Sequence, residues 1–191
     1  MKFNEIVEKN RSYRRFDEKQ AITKDELKDL VNMARLIPSA QNLQPLKYII
    51  AEEPAKCAII FQSLLWAGYL TDWAGPEPGQ RPSAYIIIVS DREISKSVKW
   101  DHAIAAQTIL LGATSKGFNG CIIGSVNKDR LSRDIKIPDT YEIELVIALG
   151  YPAEKIIIEE IEPGDSIKYY RDSQGNHHVP KRKLSDIIIN I

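Results

Sequence analysis

The chain has little cysteine: Cys57 and Cys121 stand far apart and in no C-x-x-C arrangement. That excludes a disulfide framework and a thiolate metal site, and both are expected to be reduced, packing thiols of a cytoplasmic protein. The N-terminus Met1-Lys2-Phe3-Asn4-Glu5 lacks the apolar core of a secretory signal. No apolar stretch approaches the roughly 20 residues that a bilayer span requires. Even Ala103–Ala113 is interrupted by Gln107 and Thr108, so a soluble chain with no membrane partner is expected. Excess charge is missing too. Lys+Arg and Asp+Glu are both 26, for a formal net charge of zero, which disfavours nucleic acid as a partner. His102, His177 and His178 make no metal-like constellation, and the adjacent pair in a polar loop is expected to be solvated. The motifs G-x-G-x-x-G, G-x-x-x-x-G-K-[ST] and G-x-S-x-G are absent, and Ser12 and Ser39 have no evident base partner. Rossmann, P-loop and serine-hydrolase chemistry lose their support.

What is present suits one domain. The 191 residues, 43% hydrophobic and 27% charged, bury one core but are short for two. Thr23-Lys24-Asp25-Glu26 is a capping box ahead of Leu27, Leu30, Val31 and Ala34, which predicts a helix from Lys24 to Arg35 that Pro38 ends. Lys2–Glu8 predicts an earlier short helix. Tyr48–Ala51 and Tyr85–Val89 are β-branched and aromatic runs, expected as central strands buried on both faces. Pro54–Tyr69 reads as helical, and Asp72–Pro82, with Gly75-Pro76-Glu77-Pro78-Gly79 inside it, as a loop. Asp101 is expected to cap a helix over His102–Lys116 that is apolar around nearly its whole circumference, so it belongs in the interior or at a subunit interface. Gly117 stops it, Cys121–Gly124 is a strand, and Asn127 caps a short helix through Asp134. Tyr141–Gly150 is a strand that enters the core, and Gly150-Tyr151-Pro152 closes it. Asp172–His178 reads as a polar loop. The terminal run Ile187–Ile191 is too apolar for solvent; a strand added to its own sheet would bury it, as would exchange between two subunits, which is the favoured expectation.

Local basic charge without a global excess points to a small anionic ligand. Arg11, Ser12 and Arg14 bring charge, a hydroxyl and backbone donors into one loop, the combination that holds phosphate oxygens, although a solvated Arg-rich loop has the same composition. Lys181 and Arg182 offer a second clamp, or two surface charges before a terminal strand. Asn42 and Gln44, in Pro38-Ser39-Ala40-Gln41-Asn42-Leu43-Gln44-Pro45, carry amides that can read a heterocycle with both N–H and carbonyl groups, or simply make a turn.

In this order, the segments resemble the FMN-dependent nitroreductase family. Arg11-Ser12-Tyr13-Arg14-Arg15-Phe16 is similar to its R-S-x-R-x-F element, Pro38 through Pro45 to its P-S-x-x-N-x-Q-P element, and Pro180-Lys181-Arg182 to its C-terminal phosphate contact. The helix from Asp101 and the Gly120–Gly124 strand resemble its central helix and flavin-facing strand. The resemblance implies an α+β sandwich with a mostly antiparallel sheet flanked by helices. Each C-terminal extension would wrap the partner of a homodimer, and two FMN sites would lie at the interface. It further implies that Arg11, Ser12 and Arg14 hold the phosphate, ribityl chain or ring oxygens and that Lys181 and Arg182 complete the phosphate shell, with Lys183 as a further candidate. Pro38, Ser39, Ala40, Asn42 and Gln44 would come from the other subunit. Ile122 and Ile123 would press on the isoalloxazine, and the Gly124 amide would approach N5. Two positions depart from patterns seen in some members: Asn10, where they carry a second basic residue, and Ile123, where they carry Glu.

The implied activity is a ping-pong oxidoreductase in which NAD(P)H delivers hydride to FMN and a small oxidised acceptor, a nitroaromatic or quinone, then takes it from the same cleft. Protein donors near the N1–C2 carbonyl edge would stabilise the reduced ring, and no side chain need act as a nucleophile. Trp66, Tyr69, Trp73 and the loop through Pro82 are candidates to line or gate that cleft. A protein that stores or senses FMN, and another flavin reaction such as reductive dehalogenation or flavin fragmentation, are the alternatives.

Overall fold

A computed structural model describes residues 1–189; Asn190 and Ile191, the end of the apolar tail, lie outside the described residues. Six helices, α1 (Phe3–Lys9), α2 (Lys24–Ala34), α3 (Pro54–Phe61), α4 (Asp101–Ser115), α5 (Lys128–Ile135) and α6 (Leu184–Ile187), alternate with seven strands. The strands are β1 (Leu46–Ala51), β2 (Ala84–Asp91), β3 (Asn119–Ile123), β4 (Tyr141–Gly150), β5 (Ile156–Ile161), β6 (Tyr170–Arg171) and β7 (His177–Arg182). Four of them form an antiparallel sheet in the order β1-β2-β4-β3. The other three form a small sheet, β5-β7-β6, in which β5 and β7 run parallel.

The run Ala84–Val89 explains the layering. Side chains alternate across a strand, so Ala84, Ile86 and Ile88 enter one core with Leu27 and Leu30 of α2 and Ile109 of α4. Tyr85, Ile87 and Val89 enter the opposite core with Ile60 of α3 and Leu131 of α5. Each fully buried Ile contributes about 1.5–3 kcal/mol, which requires helices on both faces of the sheet. The capping box ahead of α2 is formed as expected: Thr23 Oγ1 accepts from the Glu26 amide and Glu26 Oε2 accepts from the Thr23 amide at 2.8 Å.

Some segments differ from expectation. Among the described residues β1 is an edge strand and only partly buried, because β-branched content marks a pleated surface and not a place in the strand order. Helix α3 stops at Phe61. Leu64 then bridges Val126, and the Leu65 amide donates to the Ser125 carbonyl at 2.9 Å, turning the chain along the loop after β3. Residues 172–176 turn directly into β7, so His177, His178 and the basic run 181–182 lie within that strand, and the short helix α6 follows it. Ile187, Ile188 and Ile189 are exposed and add no strand to either sheet.

Candidate functional site

Edge strand β3 builds the site. Gly120 sits on it with no room for a side chain: a Cβ there would lie 2.2 Å from the Ala148 carbonyl oxygen. The outer edge of β3 is covered by the first basic segment, through a parallel bridge between Ser12 and Gly120 and a hydrogen bond from the Tyr13 amide to the Gly120 carbonyl at 3.0 Å. Upstream, Asn119 Nδ2 donates to the Lys9 carbonyl at 2.9 Å and Asn10 Nδ2 to Thr114 Oγ1 at 3.1 Å, tying the same segment to β3 and α4. Asn10, one of the two family departures, is thus a structural tie.

A buried carboxylate organises the downstream half. Glu154, whose side chain is 1% exposed, accepts from the backbone amides of Arg14 at 2.5 Å and Arg15 at 3.1 Å and from the Arg171 guanidinium at 3.0 Å. Arg14 then projects its guanidinium 4.8 Å over the Tyr169 ring and donates to the Ser12 carbonyl at 3.2 Å. It also lies 3.4 Å from His177 Nε2. A guanidinium only donates, so that nitrogen accepts and Nδ1 carries the proton. Burial, with Arg14 and Arg171 nearby, pushes the His177 pKa down to about 4 against the opposing pull of Glu154, keeping the ring neutral. His178 differs: Asp172 and Glu159 grip its two ring nitrogens and raise its pKa. Neither histidine is the solvated residue expected of a polar loop, because strand β7 buries His177 and holds His178 partly exposed between Glu159 and Asp172.

These residues enclose a cavity of about 440 Å³ lined by Arg11, Ser12, Arg14, Ile122, His177 and Lys181 among others. Its described lining holds three cations and no carboxylate. Two of its lining residues also carry buried nitrogens without a partner, Arg11 Nε and His177 Nδ1. Buried donors are ordinarily satisfied, so this donor set fits a phosphate monoester, with Ser12 adding a hydroxyl. A second cavity of about 340 Å³ adjoins it, lined by Leu65, Trp66, Ile123 and Gly124 and sharing Arg14, Ile122 and Tyr169. Gly124 is exposed there, and a Cβ on it would meet only Leu145 at 3.8 Å. Its bare backbone is therefore not demanded by the protein's own packing.

The sequence-predicted residues divide into three groups. Arg11, Ser12, Arg14, Ile122, Gly124 and Lys181 converge on the paired cavities. Ile123 touches the second cavity, but its side chain, 5% exposed, is committed to the core, since alternation turns Ile122 outward and Ile123 inward. The same alternation sends His177, Val179 and Lys181 to the cavity and leaves Arg182 off it. Lys183 ion-pairs with Glu162. The 38–45 segment stands apart, at the start of α4. Asp101 does not cap its own helix, whose cap residue is Trp100; its buried carboxylate accepts from Ser39 Oγ at 2.5 Å and the Ala40 amide at 3.0 Å. Ser39 Oγ in turn accepts from the Gln44 amide at 2.9 Å. Asp101 and Leu110, which lines the first cavity, are nine residues apart on one helix, about 13 Å at 1.5 Å per residue. Within one chain Pro38, Ser39, Ala40, Asn42 and Gln44 therefore do not line the cationic cavity.

Glu154, Tyr169, Arg171 and His177 have no place among the sequence-predicted site residues. A lone acid after a Gly-Tyr-Pro turn, or a Tyr-Tyr-Arg triplet, carries no local signal of what it will meet across 140 residues. The thiols are not candidates: burial raises Cys57 to about 11 and raises Cys121 too. Among the described residues no group of three or more His, Cys, Asp or Glu is placed to hold a metal, and no helix is long and apolar enough to cross a membrane.

Comparison with known proteins identifies the family. The nitroreductase family profile matches residues 7–151. YodC of Bacillus subtilis (strain 168), provisionally named an NAD(P)H nitroreductase, is 26% identical over 179 residues, covering 76% of this chain and 87% of its own. A nitroreductase family protein of Clostridium novyi NT superposes with a TM-score of 0.66 at 28% identity, over 80% of this chain and 86% of that one. An FMN-dependent nitroreductase of Clostridium difficile R20291 does so with a TM-score of 0.64 at 25% identity, over 78% and 87%. The chain belongs to the nitroreductase family and has its α+β sandwich fold.

Proposed function

We propose that this chain is a cytoplasmic, FMN-dependent oxidoreductase that takes hydride from NAD(P)H and passes it to a small oxidised acceptor, a nitroaromatic or quinone, by a ping-pong mechanism. The observation that carries the reading is the cationic cavity with unpartnered Arg11 Nε and His177 Nδ1, opening onto bare backbone at Gly124. The names of the B. subtilis and C. difficile proteins supply the donor and cofactor classes.

Arg11 and Lys181 hold the phosphate, with the Ser12 hydroxyl beside them. Arg14, its backbone held by Glu154 and its guanidinium stacked on Tyr169, would supply positive charge to stabilise the negative charge that a bound flavin gains on reduction. Ile122 is a flat apolar seat, and the Gly124 amide is a donor that no side chain shields. When bound, the flavin supplies the hydride relay.

The whole chain acts as one domain within a homodimer. Trp100, Ile104, Ile187, Ile188 and Ile189 are all exposed, apolar surface of the kind that an interface covers. A second copy would cover it and bring its own 38–45 segment to the cavity. Three residues of that segment, Gln41, Asn42 and Gln44, hold left-handed backbone, a cost that persists where the surroundings dictate it.

The visible spectrum of the purified protein tests the reading. Yellow, dimeric protein that oxidises NAD(P)H only when menadione is added supports it, and acceptor-dependent turnover separates it from FMN storage. Colourless protein that FMN cannot reconstitute overturns it.

A further inference from the structure

The small sheet lies beyond residue 151, where the family match ends, yet it reaches into the site. Tyr169, just ahead of β6, lines both cavities at the junction they share with Arg14 and Ile122. Its ring centroid is 5.0 Å from that of Tyr69, tilted by 55°, and its hydroxyl accepts from the Tyr69 amide at 3.3 Å. Aromatic rings at that separation are in contact, so nothing passes between them while they are paired. Two cations reinforce the join: Lys168 Nζ lies 5.9 Å from the Tyr69 ring, and the Arg171 guanidinium 4.2 Å over Trp73. The loop after α3 and the approach to β6 are thereby clasped together beside the second cavity, which Ala67, Gly68 and Tyr169 line.

We propose that the Tyr69–Tyr169 clasp roofs the acceptor pocket and makes Tyr169 a specificity-determining residue, admitting slim planar one- or two-ring acceptors and turning away bulkier ones. This rests on the oxidoreductase reading, since the roofed cavity is the one beside Gly124. Its volume, about 340 Å³, is near the lower end of the roughly 300–1,000 Å³ of ligand pockets. Trp66 and Ile122 give it flat apolar walls, and Arg14 is the charged residue among those described as lining it. A nitro or quinone oxygen is favoured there and a cationic acceptor is not. The clasp consists of individually weak contacts at half-exposed side chains. Ala67 and Gly75 of this loop hold positive φ, and a Cβ on Gly68 beside Tyr69 would meet nothing within 4 Å, so the loop has room to move and the roof can open for exchange.

The test uses FMN-loaded protein with menadione and its 3-phenyl derivative, which differ in bulk on one quinone core. Tyr69→Ala removes half the clasp while leaving Arg14 stacked on Tyr169. It should raise the ratio of kcat/KM for the phenyl derivative over menadione about tenfold, with the FMN dissociation constant, read by flavin fluorescence, unchanged. Limited proteolysis should nick residues 65–73 faster in this variant, because the clasp pins that loop. Tyr169→Phe keeps the ring, and its ratio should stay near wild type; Tyr169→Ala should shift it as Tyr69→Ala does. An unchanged ratio in Tyr69→Ala and Tyr169→Ala, with FMN retained and menadione reduced, overturns the clasp and leaves the oxidoreductase reading standing. Wild-type protein that holds no FMN overturns both.

Discussion

Replacing Glu154 by alanine removes a single buried carboxylate and leaves three donors stranded. The Arg14 and Arg15 amides and the Arg171 guanidinium all donate to it, and at 1% side-chain exposure water cannot readily take its place. An orphaned buried amide costs about 1–3 kcal/mol, and a buried ion pair that loses one partner about 3–5 kcal/mol. These penalties are not additive, because the vacated space admits some water, so about 3–5 kcal/mol is expected for the variant as a whole. At about 2–4 °C per kcal/mol for a chain of this size, the melting temperature should fall by about 6–20 °C. Glu154→Gln keeps the shape and one carbonyl acceptor, and should lose about 1–3 kcal/mol. Thermal unfolding by circular dichroism reads both, and excess FMN should restore part of the loss, about 2.7 kcal/mol at 100 times its dissociation constant. If Glu154→Ala melts within about 4 °C of wild type, stacking on Trp73 suffices to hold Arg171 and the carboxylate is not the organiser of the loop.

Four further outcomes follow from the same geometry. Gly120→Ala, whose methyl would strike the Ala148 carbonyl at 2.2 Å, should destabilise by more than about 3 kcal/mol. Gly124→Ala should leave stability within about 0.5 kcal/mol while weakening FMN binding, since the only protein contact of its Cβ would be Leu145 at 3.8 Å; equal chemical-denaturation midpoints with equal FMN affinity would refute the second half. Arg11→Ala and Lys181→Ala should each weaken FMN about tenfold by equilibrium dialysis, and Arg182→Ala should not; an Arg182 effect as large as that of Lys181 would refute the strand-face assignment. The two adjacent histidines should give opposite pH slopes. The folded pKa of His177, lowered to about 4 chiefly by burial, lies below its unfolded value of about 6.5. The folded state therefore binds fewer protons between those values, and stability is lost as pH falls through them. His178 is raised by Asp172 and Glu159, so its contribution is complete below about pH 6.5 and is lost as pH rises through the folded value. Denaturation across pH 4–9 should show His177→Phe flattening the acid limb and His178→Asn the alkaline one; unaltered limbs would refute the assignment.

Much of the architecture is written locally. Thr23 and Glu26 cap α2, Asn127 caps α5 by accepting from the Arg130 amide at 3.0 Å, and Tyr141–Gly150 is a strand with the bounds its pattern predicts. These features depend on neighbours within a few residues, where periodicity and capping chemistry act. Strand order depends on partners far along the chain, which is why β1 reads like β2 yet lies at an edge. The three contact segments are legible as composition, and the structure decides which members of each segment meet: alternation selects Lys181 over Arg182 and Ile122 over Ile123, and Asp101 holds Ser39 and Ala40 in place at the start of α4.

The sequence by itself determined the family, through the order of short motifs along nearly the whole chain, and the two-faced central strand and the cationic loop, because each motif is carried by residues close together. Only the tertiary structure decided that Glu154 anchors that loop, that His177 is neutral and buried, and that Tyr169 reaches back to Tyr69. Those contacts span roughly 100–160 residues, and a side chain's charge state and reach follow from what surrounds it in space, which no local pattern encodes.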